Sequence, residues 1–138
     1  MNWNSYSVSE EHAFLAPSKP AWINYDAEKL IATYKNYERV ARGVVLHKFA
    51  ADCINLRQRL PATQATLNAY VNDAIGFRMK TEQLLFYSEV AFGTADAISY
   101  DQVTSSLRIH DLKTGTSHPS INQLLCYAAL FCLEYGFE

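Results

Sequence analysis

The sequence is poor in the features that would place it in a membrane, on a disulfide frame or around a thiolate-bound metal. It has three cysteines among 138 residues, Cys53, Cys126 and Cys132, with no CxxC and no Cys at zinc-site spacing from a His. Three cannot pair completely within one chain, so all three are expected as small apolar core residues. Cys126 and Cys132, six apart on one expected helix, point in different directions. No apolar run approaches the roughly 18 residues that a membrane span needs. The opening Met1-Asn2-Trp3-Asn4-Ser5 lacks a basic region followed by an apolar stretch, so a secretory leader is not expected and a cytoplasmic location is. Internal repeats and low-complexity segments are absent.

What is present suits one folded domain. Apolar residues make up 49% and aromatics 13%, enough for a sizeable core and too much for disorder. The net charge of −2 conceals an asymmetry. Residues 1–25 carry one Lys and two acids, and residues 26–80 carry nine Lys/Arg against five Asp/Glu. Residues 81–138 carry two Lys/Arg against seven Asp/Glu. A basic first half beside an acidic second half suits a polyanion near a carboxylate metal site, but is also compatible with ordinary surface charge.

Pro17 and Pro20 make residues 1–25 an irregular arm, with Trp3, Trp22 and Tyr25 packing on the domain, and residues 26–138 form the main domain. Asp26 caps a first helix through Leu30, Ile31, Tyr34, Tyr37 and Val40. Gly43 is either an interruption or a close-packing point, and a second helix follows over 44–59, ended by Pro61. A third starts at Thr63 or Thr66 and runs to Phe77. Strands are expected over 82–90, 94–100 and 107–113, with Gly93 as a turn or bulge and 101–106 as a polar turn. A loop over 114–118 leads to a helix opened by Pro119 and closed by Gly136. Short connections make the strands an antiparallel meander. The fold class is therefore α/β, a central sheet flanked by helices.

Asp111 and Lys113 are two apart on an expected strand and share a face, with Leu112 turned the other way. A hairpin centred near Val103 puts Asp96 opposite Asp111, at about 5 Å between Cβ atoms. Carboxylates that close need a cation or a shared proton, and Mg²⁺ or Mn²⁺ suits their oxygens. Lys113 would orient a water or offset charge on a phosphate oxygen. Gln123 and Tyr127, four apart, share a helix face. The plainer reading of Asp111 and Lys113 is an ion pair on an edge strand.

The run Arg42-Gly43 with His47, then Gly93-Thr94-Ala95-Asp96, then Asp111-Leu112-Lys113-Thr114-Gly115, then Gln123 and Tyr127 resembles the PD-(D/E)xK nuclease superfamily. It is most similar to the RecB-like and Cas4-like exonuclease branch with its phage-encoded members, over about residues 38–136. The resemblance implies a restriction-endonuclease-like core with a mixed central sheet. It implies that Asp96, Asp111, His47 and the Leu112 carbonyl bind the metal, and that Lys113 positions the nucleophilic water. Gln123 and Tyr127 would line the site and contact DNA, and Arg42 and Lys48, with Lys35 and Arg39, would contact phosphates. Glu82 resembles an acid often seen on the first strand, with no settled role. The implied activity is metal-dependent hydrolysis of DNA, as an exonuclease of phage or bacterial recombination, repair or degradation. The cysteines do not match a four-Cys cluster, so no iron–sulfur centre is expected. The superfamily core adds a strand after the Gln/Tyr helix, where this sequence stops. A truncated core, or one completed by a second copy, is then implied, with a recombination or helicase partner also compatible. The alternatives are an inactive nucleic-acid-binding or regulatory relative and a structural protein.

Overall fold

A computed structural model describes residues 1–7, 13–116 and 118–137. Residues 8–12 of the expected arm, Ser117 of the expected loop and the terminal Glu138 lie outside the described residues. The chain is mixed α/β, with three α-helices and one three-stranded antiparallel sheet of order β1-β2-β3 among the described residues. The elements are α1 (Ala27–Asn55), α2 (Thr66–Gly76), β1 (Lys80–Ser88), β2 (Ala91–Asp101), β3 (Ser106–His110) and α3 (Asn122–Tyr135). The described strands are all antiparallel, so the parallel partner of a mixed sheet is not among them. No helix is long and apolar enough to cross a membrane among the described residues.

Two compact units divide at residues 42 and 43. In the first, Met1–Arg42, a 3-10 turn at Pro20–Asn24 starts on proline, and Trp22 Nε1 donates to the Ala16 carbonyl at 3.1 Å. Trp22 and Tyr25 are half-buried, but Trp3 is exposed and does not pack as expected. Asp26 caps α1 as its side chain predicts, accepting the Lys29 N–H at 2.8 Å. Phe14 sets its ring against Tyr34 and Tyr37.

The second unit, Gly43–Glu138, holds the sheet. On one face, Ala50, Cys53 and Ile54 of α1 and Val71 and Ala74 of α2 pack with Met79, Ala97 and Leu112. On the other, Phe131 of α3 packs with Leu85, Ala95 and Ile98. Cys53 is buried and Cys132 half-buried, but Cys126 lies on the exposed side of α3, against the expectation of a core residue.

The two expected helices over 26–59 are one. Gly43 does not interrupt α1; a Cβ there would stand 3.0 Å from Thr114 Oγ1, so glycine admits the loop after β3. α1 stops at Asn55, short of 59, because the chain turns through a left-handed Arg57 (φ 54°). There Gln58 N donates to Cys53 O and Arg57 N to Ile54 O. α2 ends alike: Met79 N donates to Ala74 O, Arg78 N to Ile75 O, and Arg78 has φ 53°. Both are the helix stop that usually takes glycine at the left-handed position.

The strands also move from their expected places. The β1–β2 turn falls at residues 89–90, and Gly93 lies inside β2 rather than at a turn. A Cβ on Gly93 would meet Tyr127 Cε1 at 3.0 Å, so this glycine makes room for the tyrosine ring. β3 ends at His110, so Asp111 and Lys113 are not on the strand. Leu107 and Ile109 pack towards α3 and Leu112 is buried with α1 and α2, the alternation of a regular strand. The ladder nevertheless stops there, where the Leu112 N–H is taken by the Asp96 carboxylate instead of a main-chain carbonyl.

β1 changes face inside the sheet. Thr81 donates its hydroxyl to Asn55 Oδ1 on α1, yet Leu85, four residues on, packs on the α3 side. Between them Glu82 has φ 48°, a left-handed conformation that costs about 1–2 kcal/mol outside glycine. Glu82 falls between the pairs Thr81↔Ala97 and Gln83↔Ala95, level with Asp96. There β2 breaks its own alternation, with Ala95 and Ile98 on the α3 side and Ala97 on the other.

Candidate active site

The β2–β3 ladder runs from Ala97↔His110 to Asp101↔Ser106, so one further step sets Asp96 against Asp111. The hairpin centre read from the sequence therefore holds, although the ladder stops one residue short. The Asp96 carboxylate takes the place of a ladder bond: its Oδ2 accepts the Leu112 N–H at 2.8 Å. His47, from α1, brings Nδ1 to 3.4 Å from the same oxygen. Asp96 Oδ1 accepts no hydrogen bond among the described residues. Burial is the largest influence on this carboxyl and raises its pKa, opposed by the Leu112 N–H and His47; Asp111 adds to the rise and Lys113 opposes it.

Asp111 is held from two sides. Lys113 Nζ lies 2.7 Å from its Oδ2, and Gln123 Nε2 donates to its Oδ1 at 2.9 Å. Lys113 Nζ also donates to Gln123 Oε1 at 2.7 Å, closing a three-membered ring of side chains. The Gln123 amide thus serves an acid with its NH₂ and an ammonium with its oxygen. One turn along α3, the Tyr127 hydroxyl stands 3.4 Å from Gln123 Nε2 and donates to the Thr94 carbonyl at 2.7 Å. α3 is thereby pinned to β2, and the glutamine to the acid.

Of the residues singled out from the sequence, His47, Asp96 and the Leu112 N–H form one bonded set and Asp111, Lys113, Gln123 and Tyr127 another, close enough for Asp111 and Lys113 to act on Asp96 through their charges; the Leu112 side chain is buried. Glu82 is exposed and level with Asp96. Lys48 stands apart, its ammonium 3.6 Å from Asp52 Oδ2 on the same helix. Arg42 closes the first unit, in which Arg39 donates to Asn36 Oδ1.

Sequence reasoning missed three contributors. Tyr70 of α2 is half-buried, and its hydroxyl pKa is raised by burial first, then by the fields of Asp96, Asp111 and Glu82. Its ring lies 6.3 Å from that of His110, whose pKa burial pushes down. Thr94 and Thr114, quoted in the motif without a role, offer a carbonyl to Tyr127 and a close contact to Gly43.

Models of protein families, curated proteins and solved structures were compared with this chain, and none matches. Among the described residues no three or more His, Cys, Asp or Glu side chains gather as a metal cage. The donors suit a different type of ion site. Asp96 keeps one oxygen uncommitted beside Asp111, and a hard divalent cation is commonly held by one or two carboxylates with waters and substrate phosphate.

Proposed function

We propose that the chain is a Mg²⁺- or Mn²⁺-dependent deoxyribonuclease of the PD-(D/E)xK type, with a restriction-endonuclease-like core. The observation that carries the reading is the meeting of Asp96, Asp111 and Lys113 at the open end of the β2–β3 ladder, with His47 beside Asp96. Asp96 and Asp111 would hold the ion, with His47 or the Leu112 carbonyl completing its shell. When bound, the ion supplies Lewis-acid polarisation of a phosphoryl oxygen and an acidified water.

The chain's own groups do the rest. Lys113, kept beside Asp111 and aimed by Gln123, offsets charge that builds on a non-bridging phosphate oxygen. Gln123 fixes the relative positions of acid and ammonium, and Tyr127 fixes Gln123's helix against β2. The reading carries with it DNA as substrate, exonuclease action in recombination, repair or degradation, and an outer β3 edge that a second copy or partner chain would extend.

The test is hydrolysis of end-labelled linear DNA with Mn²⁺. Asp111→Ala and Lys113→Ala are expected to abolish cleavage with the circular dichroism spectrum retained. Cleavage that survives both substitutions refutes the site. A second reading, a nucleic-acid-binding relative without catalysis, draws on one observation: both Asp111 oxygens are already engaged by Gln123 and Lys113. Binding of DNA with no Mn²⁺-dependent hydrolysis would select it.

A further inference from the structure

A pocket of about 270 Å³ lies between the ends of α1 and α2 and the start of β1. Its floor is buried and apolar, from Ile54, Ala74 and Met79. Its rim is cationic: Arg57, Arg78 and Lys80 are all exposed. No acid lines it, and none of the three cations has a carboxylate within ion-pair distance or donates a side-chain hydrogen bond among the described residues. Asn55 has committed its carboxamide oxygen to Thr81, which leaves its NH₂ as a further donor.

The two arginines occupy the left-handed position that ends α1 and α2, where glycine is the unstrained choice. A cation near a helix C-terminus gains from the helix dipole, but a Lys or Arg one turn earlier would gain the same without left-handed backbone. Strain retained twice around one pocket points to a use for the guanidinium groups. Three unpaired cations, two of them with fork-shaped guanidinium donors, over a cavity of this size suit a tetrahedral oxyanion.

We propose that this pocket binds a phosphate group, held by Arg57, Arg78 and Lys80. The assignment stands apart from the nuclease reading, because it uses none of the network residues and needs no divalent ion.

The test replaces both arginines by glycine. Arg57→Gly/Arg78→Gly removes the charges and relieves the backbone, so loss of binding cannot be laid to misfolding. Two probes are titrated in EDTA: inorganic phosphate by calorimetry, and a fluorescent single-stranded oligonucleotide by anisotropy. Lys19→Gln/Lys29→Gln is the control of equal charge. The double glycine variant is expected to bind about tenfold more weakly or worse, while the control stays near wild type. For the oligonucleotide, the slope of log affinity against log salt should fall by about 0.7 for each lost phosphate contact. Lys80→Gln should weaken the same probe. Loss for the oligonucleotide alone names a nucleic-acid strand as the source of the phosphate, and loss for inorganic phosphate names the free ion. If the wild type binds neither probe, or the glycine variant binds both as well as wild type does, the proposal is overturned.

Discussion

Gly93→Ala is a small perturbation whose cost the structure sets. A Cβ at this position would stand 3.0 Å from Tyr127 Cε1, with Cδ1 at 3.8 Å and Cζ at 3.9 Å. The ring must shift by a few tenths of an ångström, and its hydroxyl is tied to Thr94 O at 2.7 Å, one residue from the new methyl. Overpacking of this kind costs about 1–3 kcal/mol. Weakening the hydroxyl's bond adds up to about 1 kcal/mol. The lower backbone entropy of alanine in the unfolded chain returns roughly 0.5–1 kcal/mol. Net destabilisation should be about 1–2 kcal/mol, or roughly 5–10 °C in Tm for a unit of this size. The decisive assay is a double-mutant cycle with Tyr127→Ala, followed by urea unfolding. Without the ring, Gly93→Ala should be neutral or stabilising, a coupling of about 2 kcal/mol. Equal cost in both backgrounds would show that the ring does not set the need for glycine, and would remove the account of how α3 is fixed over the site.

Four further outcomes are expected. Arg57→Gly and Arg78→Gly should each stabilise the fold by about 1 kcal/mol, read as a higher Tm, because each ends a helix in left-handed backbone. Thr81→Val leaves the Asn55 carboxamide oxygen without its donor and should cost about 1–2 kcal/mol in urea unfolding. Asp101 is held below the usual carboxylate range by the Thr104 hydroxyl first and the Val103 and Thr104 N–H groups after it. A lowered folded-state pKa gives stability that is present above the unfolded value, about 3.9, and lost as pH falls through the folded one. The Tm difference between wild type and Asp101→Asn should therefore shrink on acidification below about pH 4, and a constant difference would contradict the cap. Glu82→Gly should raise Tm by relieving φ 48° and, on the nuclease reading, lower Mn²⁺-dependent cleavage; unchanged cleavage would make Glu82 a bystander.

Much of this was legible because its causes are local. Asp26 and Gly136 bracket the helices they were expected to bracket, the first by its side-chain oxygen and the second by its left-handed φ of 69°. The hairpin centre followed from where polar residues interrupt two apolar runs, and it fixed which acids face each other. The end of β3 was not legible: Leu107 and Ile109 on one face and Leu112 on the other is the pattern of a continuous strand, and the ladder stops where the Asp96 carboxylate accepts the Leu112 N–H. Gly43 is a different case. Its role depends on Thr114, 71 residues away, and helix propensity alone reads it as a weak point. Tyr70 and Thr94 act through burial and a main-chain carbonyl, which no spacing of side chains encodes.

The irregular backbone of the second unit falls into two sets with different consequences. Arg57 and Arg78 strain the chain at helix ends, where a glycine would serve the fold better and only a charge is gained. Glu82 strains it inside a strand, where the gain is geometric: the sheet changes face between Thr81 and Leu85, so α1 and α3 can both be packed from one strand. β2 makes its matching change at Asp96–Ala97, and the chain leaves β3 after His110. Glu82, Asp96 and Asp111 thus sit level, the first two where their strands depart from regular pleating and the third one residue past the end of β3. A regular sheet would bury or expose such residues by alternation alone. Here the departures place Asp96 half-buried on the α1 side, against His47 and the Leu112 N–H. Asp96 is therefore turned to His47 by the irregularity it shares with Glu82, and substitutions that restore regular pleating at Glu82 should move it away.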